Sequence, residues 1–209
     1  QLTLIESFDG PSGADYQVNS VLELVIGEGA QVDHIKVGRD GDAALRVSTL
    51  GVTVDAKANY RDFVFTTGGA VVRNQTFVRF ALEGTDASIS GATLIKGRQH
   101  VDNTLVIEHA AGHCTSRERF RSVLDGESRG IFQGKIVVER FPDYWDKGNI
   151  HIDRVEFVPI LDSTARLASL RSGDLHMIER ASPTDLAEIR GDSRIKVVGV
   201  PELGYQMIP

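Results

Sequence analysis

The sequence predicts a mainly β fold followed by a partial α/β segment, and three observations lead there. Short runs rich in β-branched and aromatic residues recur through the first two thirds of the chain. Turn residues separate them at intervals of roughly 10–17 residues. Glycine and proline then exchange places near residue 138: residues 1–138 hold 16 of the 21 glycines but only Pro11 among the prolines, while residues 139–209 hold the other five prolines. Both parts carry a net charge of −3, adding to the −6 of the whole chain, so architecture rather than electrostatics changes at the seam.

In chain order, the β-rich runs are residues 21–26, 45–47, 52–54, 63–65, 71–73, 76–80, 93–95, 104–107 and 135–138. Turn signals fall at Gly27-Glu28-Gly29, Gly38-Arg39-Asp40-Gly41, Gly68-Gly69, Gly84-Thr85-Asp86 and Asp125-Gly126, where residues that tolerate positive φ reverse the chain. Each short run needs a neighbour to cover its apolar face, as in a β-solenoid, but the spacing alone does not separate a solenoid from a sandwich. Beyond the seam, residues 155–160 read as a strand that ends at Pro159 or lies at a sheet edge. Asp162 or Ser163 caps a helix over 164–172 that buries Leu167 and Leu170 and stops at Gly173. Ser182-Pro183-Thr184-Asp185 starts a second helix, with a hydroxyl cap, proline at its first position and a carboxylate near its positive end, running to about Arg190. Residues 195–200 read as a strand, and Tyr205-Gln206-Met207-Ile208 as the beginning of another.

Composition excludes several classes of function. With 41% hydrophobic and 25% charged residues, the chain is globular. No apolar run approaches the roughly 20 residues that span a bilayer, so membrane insertion is not expected. The negative net charge, without a stripe of Lys and Arg, speaks against nucleic acid as a partner. A single cysteine, Cys114, makes no internal disulfide and fits a reducing compartment. The opening Gln1-Leu2-Thr3-Leu4 shows no targeting signal, and the chain reads as a fragment.

Candidate chemistry is sparse. His109 and His113, with Cys114 beside them and His100 upstream, carry metal-ligating side chains, yet a spacing of four joins two histidines only on a helix, and Gly112 makes a polar turn the alternative. Cys114 is a nucleophile if a histidinium lowers its pKa, and otherwise a small hydrophobe. Arg117-Glu118-Arg119-Phe120-Arg121 offers an anion site or a solvated face. Gly126 to Lys135 lacks the spacing of a phosphate loop. Phe141-Pro142-Asp143-Tyr144-Trp145-Asp146 either stacks on a ligand or plugs a seam between domains. No catalytic constellation appears, so no enzyme activity, no catalytic residue and no cofactor-binding residue is assigned.

Two resemblances add to this reading. Through Ile89-Ser90-Gly91-Ala92-Thr93-Leu94, His100-Val101-Asp102, Ile107-Glu108-His109 with His113 and Ser116, and above all Ser128-Arg129-Gly130-Ile131-Phe132-Gln133-Gly134-Lys135, residues 1–138 resemble the SufB/SufD family of iron–sulfur cluster assembly scaffolds. That resemblance implies a right-handed parallel β-helix, SufB and SufC as partners, a cytoplasmic setting, and iron–sulfur cluster handled only transiently, with no stably bound cofactor. Phe141-Pro142-Asp143-Tyr144-Trp145, Ile152-Asp153-Arg154-Val155-Glu156-Phe157, the run from Asp162 to Asp174, and Val200-Pro201-Glu202-Leu203-Gly204-Tyr205 are similar instead to solute-binding proteins of peptide/nickel ABC transporters, which are periplasmic or extracellular. The expected domains are therefore a truncated β-helix core over 1–138 and an α/β fragment over 139–209. The Cys–Ser–His segment that pairs with SufB, the helices that contact SufC, and most of a solute-binding cleft are not seen. The expectation is a chimera with neither parental activity, prone to self-association; its parent roles are iron–sulfur scaffolding or, alternatively, peptide transport.

Overall fold

The computed structural model describes residues 1–140, 143–160, 162–179 and 181–199. It divides into two compact units, Gln1–Pro159 and Ile160–Pro209. The first is a parallel β-helix. Its strands are β1 (Leu2–Asp9), β2 (Gln17–Ile26), β3 (Gln31–Arg39), β4 (Leu45–Val54), β5 (Asn59–Thr66), β6 (Val71–Phe80), β7 (Asp86–Ile95), β8 (His100–His109), β9 (Thr115–Leu124) and β10 (Arg129–Glu139). Odd strands stack as one sheet in the order β1-β3-β5-β7-β9, and even strands as the other. Every pairing among these ten strands is parallel.

One coil is therefore two strands and two corners. The register pairs Leu2 with Val32, Gln31 with Asn59, Asn59 with Asp86, and Asp86 with Thr115, so each coil takes 27 to 30 residues on this side. Left-handed backbone recurs at both corners, the β3–β4 connection excepted. Gly29, Lys57, Gly84 and His113 occupy equivalent places in successive coils, at φ of 67°, 56°, 76° and 55°. Amide ladders continue around this corner, with Gly29 N–H donating to the Ala56 carbonyl and Lys57 N–H to the Glu83 carbonyl. The other corner repeats Gly13, Gly68-Gly69, Gly97 and Gly126, all with positive φ. At Gly68 a Cβ would lie 2.2 Å from the Asp40 carbonyl oxygen, so only glycine lets these coils approach.

The interior is unevenly divided. Near the first corner it is apolar, with Ile26, Val54 and Phe80 stacked in one column beside Leu50, Val52, Val78 and Ile107. Along β4, β6 and β8 a polar band follows, and beyond it Val72, Ile95 and Val101 form a second apolar cluster next to the second corner. Ser48, Asn74 and Asn103 form a hydrogen-bonded ladder, the Ser48 hydroxyl donating to Asn74 Oδ1 at 3.0 Å and the Asn74 amide to Asn103 Oδ1 at 2.9 Å. Stacking polar side chains along the axis lets a group in one coil bond to one in the coil above or below.

After β10 the chain turns back, and β11 (Arg154–Phe157) pairs antiparallel with it. Lys135–Glu156 at 2.7 Å, Arg140–Asp153 at 3.0 Å and Arg154–Glu139 at 3.5 Å line this hairpin with ion pairs. The compositional seam near 138 thus lies inside the first compact unit, whose division from the second follows Pro159. The second unit contains α1 (Ser163–Ser172) and α2 (Pro183–Arg190). As its sequence requires, α1 is capped by Asp162, whose side chain accepts from the Ala165 amide, and is ended by Gly173 at φ 87°. Residues 195–199, expected as a strand, are irregular: they have no paired neighbour among the described residues. The expected strand at 205–208 lies outside the described residues.

Candidate functional site

The histidine–cysteine candidates fall at the fourth occurrence of the glycine corner. His109 ends β8 and points inward, its ring edge-on to Phe80 at 4.6 Å and its Nε2 at 3.2 Å from the Ser116 hydroxyl. Burial pulls its pKa below the ordinary 6.5, against the pull of Glu118. His113 takes the left-handed place held elsewhere by Gly29, Lys57 and Gly84. Cys114 follows Ala30, Ala58 and Thr85 in the next column, packs against the apolar core, and donates its S–H to the Leu82 and Gly112 carbonyls. The segment is a corner and a strand end, so the spacing of four does not align the two imidazoles as a helix would. His100 starts β8, in the outward column with Val71 and Arg129. No group of three or more His, Cys, Asp or Glu suited to a metal ion occurs among the described residues.

The densest charge chemistry lies instead inside the first coils. His34 on β3 is 1% exposed and lies between two carboxylates: Nδ1 is 2.8 Å from Asp62 Oδ1 on β5, and Nε2 is 2.8 Å from Glu6 Oε2 on β1. These bonds overcome the burial that opposes the charge and raise its pKa to about 9. The bond from His34 is the main influence that lowers the Glu6 pKa. Lys36, one inward position along, sits 3.6 Å from Glu6, and burial lowers its pKa. The buried Tyr60 hydroxyl is pushed far above its ordinary range by burial and by the Asp62 charge. Further along, Arg46 is fully buried, its Nε donating to Asp40 at 2.8 Å and its guanidinium 4.8 Å from the Phe8 ring centroid. Gly38 leaves room for it, since a Cβ there would lie 2.2 Å from Arg46 Nη2. Three cations thus face three carboxylates in a water-poor interior, where unpaired charge costs several kcal/mol. Held as an imidazolium that donates from both nitrogens, His34 has no lone pair with which to take a substrate proton.

Sequence reasoning singled out none of these residues, but their spacing was a signal. Glu6 and His34, His34 and Asp62, Asp33 and Arg61, and Arg46 and Asn74 are each separated by 28 residues, one coil. Polar partners repeating at that distance mark vertical neighbours in a solenoid.

The last coil is built differently. Phe120 of β9 and Phe132 of β10 stack across the interior at 4.5 Å, and Ile131 and Phe132 remain about two-fifths exposed. This coil carries the Ser128–Lys135 stretch. Of the aromatic cluster that follows, Phe141 and Pro142 lie outside the described residues; the Tyr144 and Trp145 ring centroids are 5.4 Å apart, and Trp145 is 85% exposed. In the second unit, Leu175, Met177, Leu186, Ile189 and Val197 border a groove of about 1020 Å³. No helix among the described residues is long and apolar enough to cross a membrane.

Two stacked parallel sheets around an interior that holds paired charges define the first unit as a β-solenoid. The chain belongs to the SufBD core-domain family of the SUF system of iron–sulfur cluster assembly, whose model matches residues 1–142. A second model, the middle part of the family 5 bacterial extracellular solute-binding proteins, matches residues 132–209. Relatives include an iron–sulfur cluster assembly SufBD family protein of Synechocystis, 26% identical over 66% of this chain and 32% of its own length. A SufBD family protein of Mycobacterium tuberculosis is 27% identical over 57% of this chain and 30% of its length. The SufD of Escherichia coli is 22% identical over 66% of this chain and 33% of its length. The chain spans about a third of these relatives. No solved structure gives a significant match.

Proposed function

We propose that this chain serves as a non-enzymatic scaffold component of iron–sulfur cluster assembly in the cytoplasm, partnered by SufB-type and SufC-type subunits and handling cluster only in transit. The observation that carries this reading is the coincidence of the family match over residues 1–142 with the parallel β-helix, whose last coil holds the Ser128–Lys135 stretch. A buried lattice of paired charges and amides suits a rigid support, because each group is fixed by the coil above or below. A second reading, peptide binding in transport, is favoured by the match over residues 132–209 and by the groove of the second unit, whose lining mixes apolar side chains with Arg171, Glu179, Arg194 and Lys196. Complementation separates them. In a host whose growth depends on the SUF system and which lacks SufD, this chain restores iron–sulfur enzyme activity if the scaffold reading holds; no restoration despite normal folded expression overturns it. Saturable binding of mixed di- and tripeptides in calorimetry would then support the transport reading.

A further inference from the structure

We infer that the outer face of β9 is a docking groove for an extended acidic segment of a partner protein. Arg117, Arg119 and Arg121 alternate with Glu118 and Phe120, and the register aligns Glu118 with the inward Ile89 and Phe120 with Gly91. The three arginines therefore share the outer face, spaced by about 6.6–6.8 Å along the strand. Beside them, β7 offers Ser88, Ser90, Gly91 and Ala92, and with Phe63 of β5 and Glu118, the one carboxylate among three guanidinium groups, these residues form a groove of about 390 Å³ under the arginine row.

The charge balance of this row departs from the rest of the β-helix. Outward arginines on the strands of the earlier coils each face a carboxylate one strand away: Arg39 with Asp9, Arg61 with Asp33, Arg73 with Asp102 and Arg79 with Glu108. On β9 only Arg117 does so, reaching Asp86 at 3.4 Å, and that carboxylate also accepts from Thr115. Arg119 and Arg121 have no carboxylate partner among the described residues, in a chain whose net charge is −6.

An extended peptide repeats its side chains on one face at the same spacing as the row, so Asp or Glu at alternate positions meets successive guanidinium forks, which bind carboxylates in bidentate fashion. The small floor of Ser88, Ser90 and Ala92 leaves room for that backbone. Nucleic acid fits less well: beyond three arginines, a polyanion would run onto a surface of opposite preference.

The test uses the full chain and a fluorescein-labelled peptide of alternating Glu and Ser, read by anisotropy. Saturable binding that weakens with salt is expected, with a loss of about tenfold in affinity in the Arg119→Ser/Arg121→Ser variant. The Arg79→Ser variant, on the other sheet, is expected to bind as the wild type does. A photo-cross-linker on the peptide, mapped on the wild-type chain, places contacts on β7 and β9 without relying on any variant. Absence of saturable binding, an equal loss in Arg79→Ser, cross-links elsewhere, or tighter binding of a single-stranded oligonucleotide than of the peptide would each overturn the proposal.

Discussion

Replacing His34 with glutamine removes the cation that holds Glu6 and Asp62 together inside the first three coils. The wild-type imidazole, 1% exposed, has its pKa raised from 6.5 to about 9 by two 2.8 Å bonds to carboxylates. At about 1.4 kcal/mol per pKa unit, that shift corresponds to roughly 3 kcal/mol of stability. Because the folded pKa lies above the unfolded one, the contribution is complete below pH 6.5 and disappears as pH rises through 9. Lys36, whose pKa is lowered by burial, trends the opposite way at alkaline pH, but it is present in both proteins. Urea unfolding followed by the β signal in circular dichroism, at several values from pH 6 to 9.5, measures the gap between wild type and His34→Gln. The expected gap is wider by about 3 kcal/mol at pH 6 than at pH 9.5. A gap independent of pH would refute the charged, bracketed imidazolium.

Glycine substitutions at the corners separate backbone strain from collision. Gly29→Ala, at φ 67° with open space around the position, costs about 1 kcal/mol, whereas Gly68→Ala, driven against the Asp40 carbonyl, costs about 3 kcal/mol or prevents folding; thermal melts distinguish the two. Zinc added to the apoprotein is expected to leave the melting temperature unchanged, since His113 lies on a corner and Cys114 faces the core; a rise abolished by His113→Ala would reverse that assignment. Limited proteolysis read by mass spectrometry is expected to leave an N-terminal product that retains β11 and ends beyond Phe157, because three ion pairs and the β10–β11 ladder protect the hairpin. A dominant product ending near residue 140 would contradict the pairing.

Much of the first unit was legible in the sequence: apolar runs marked seven of the ten β-helix strands, and the three they missed explain the irregular period. Strands β1, β3 and β9 carry Glu6, His34 and Lys36, and the arginine row, so they lack the apolar alternation that identifies a half-buried strand. In β3 the inward residues include His34 and Lys36 while Ile35 and Val37 face outward, the reverse of what hydrophobic patterning expects. Residues 45–47 and 52–54, and likewise 71–73 and 76–80, are each one strand interrupted by polar inward residues, Ser48 and Asn74, which the coils above and below satisfy. The helix caps of the second unit were readable because Asp162 and Gly173 act locally. The irregularity of 195–199 was not, since strand formation depends on a partner rather than on the apolar run itself. Of the candidate site, the types of residue at the His109–Cys114 corner were visible; their role in a repeating corner becomes apparent only once the coil length of about 28 residues is known.

The central claim, that this β-helix is a scaffold of the SUF type, is tested most directly by co-expressing the tagged full chain with SufB and SufC from its own source and measuring the mass of whatever co-elutes by size exclusion with light scattering. The account predicts a stable complex containing SufB and the chain in equal numbers. Elution of the chain alone or only with itself, while SufB and SufC form their own complex, would contradict it.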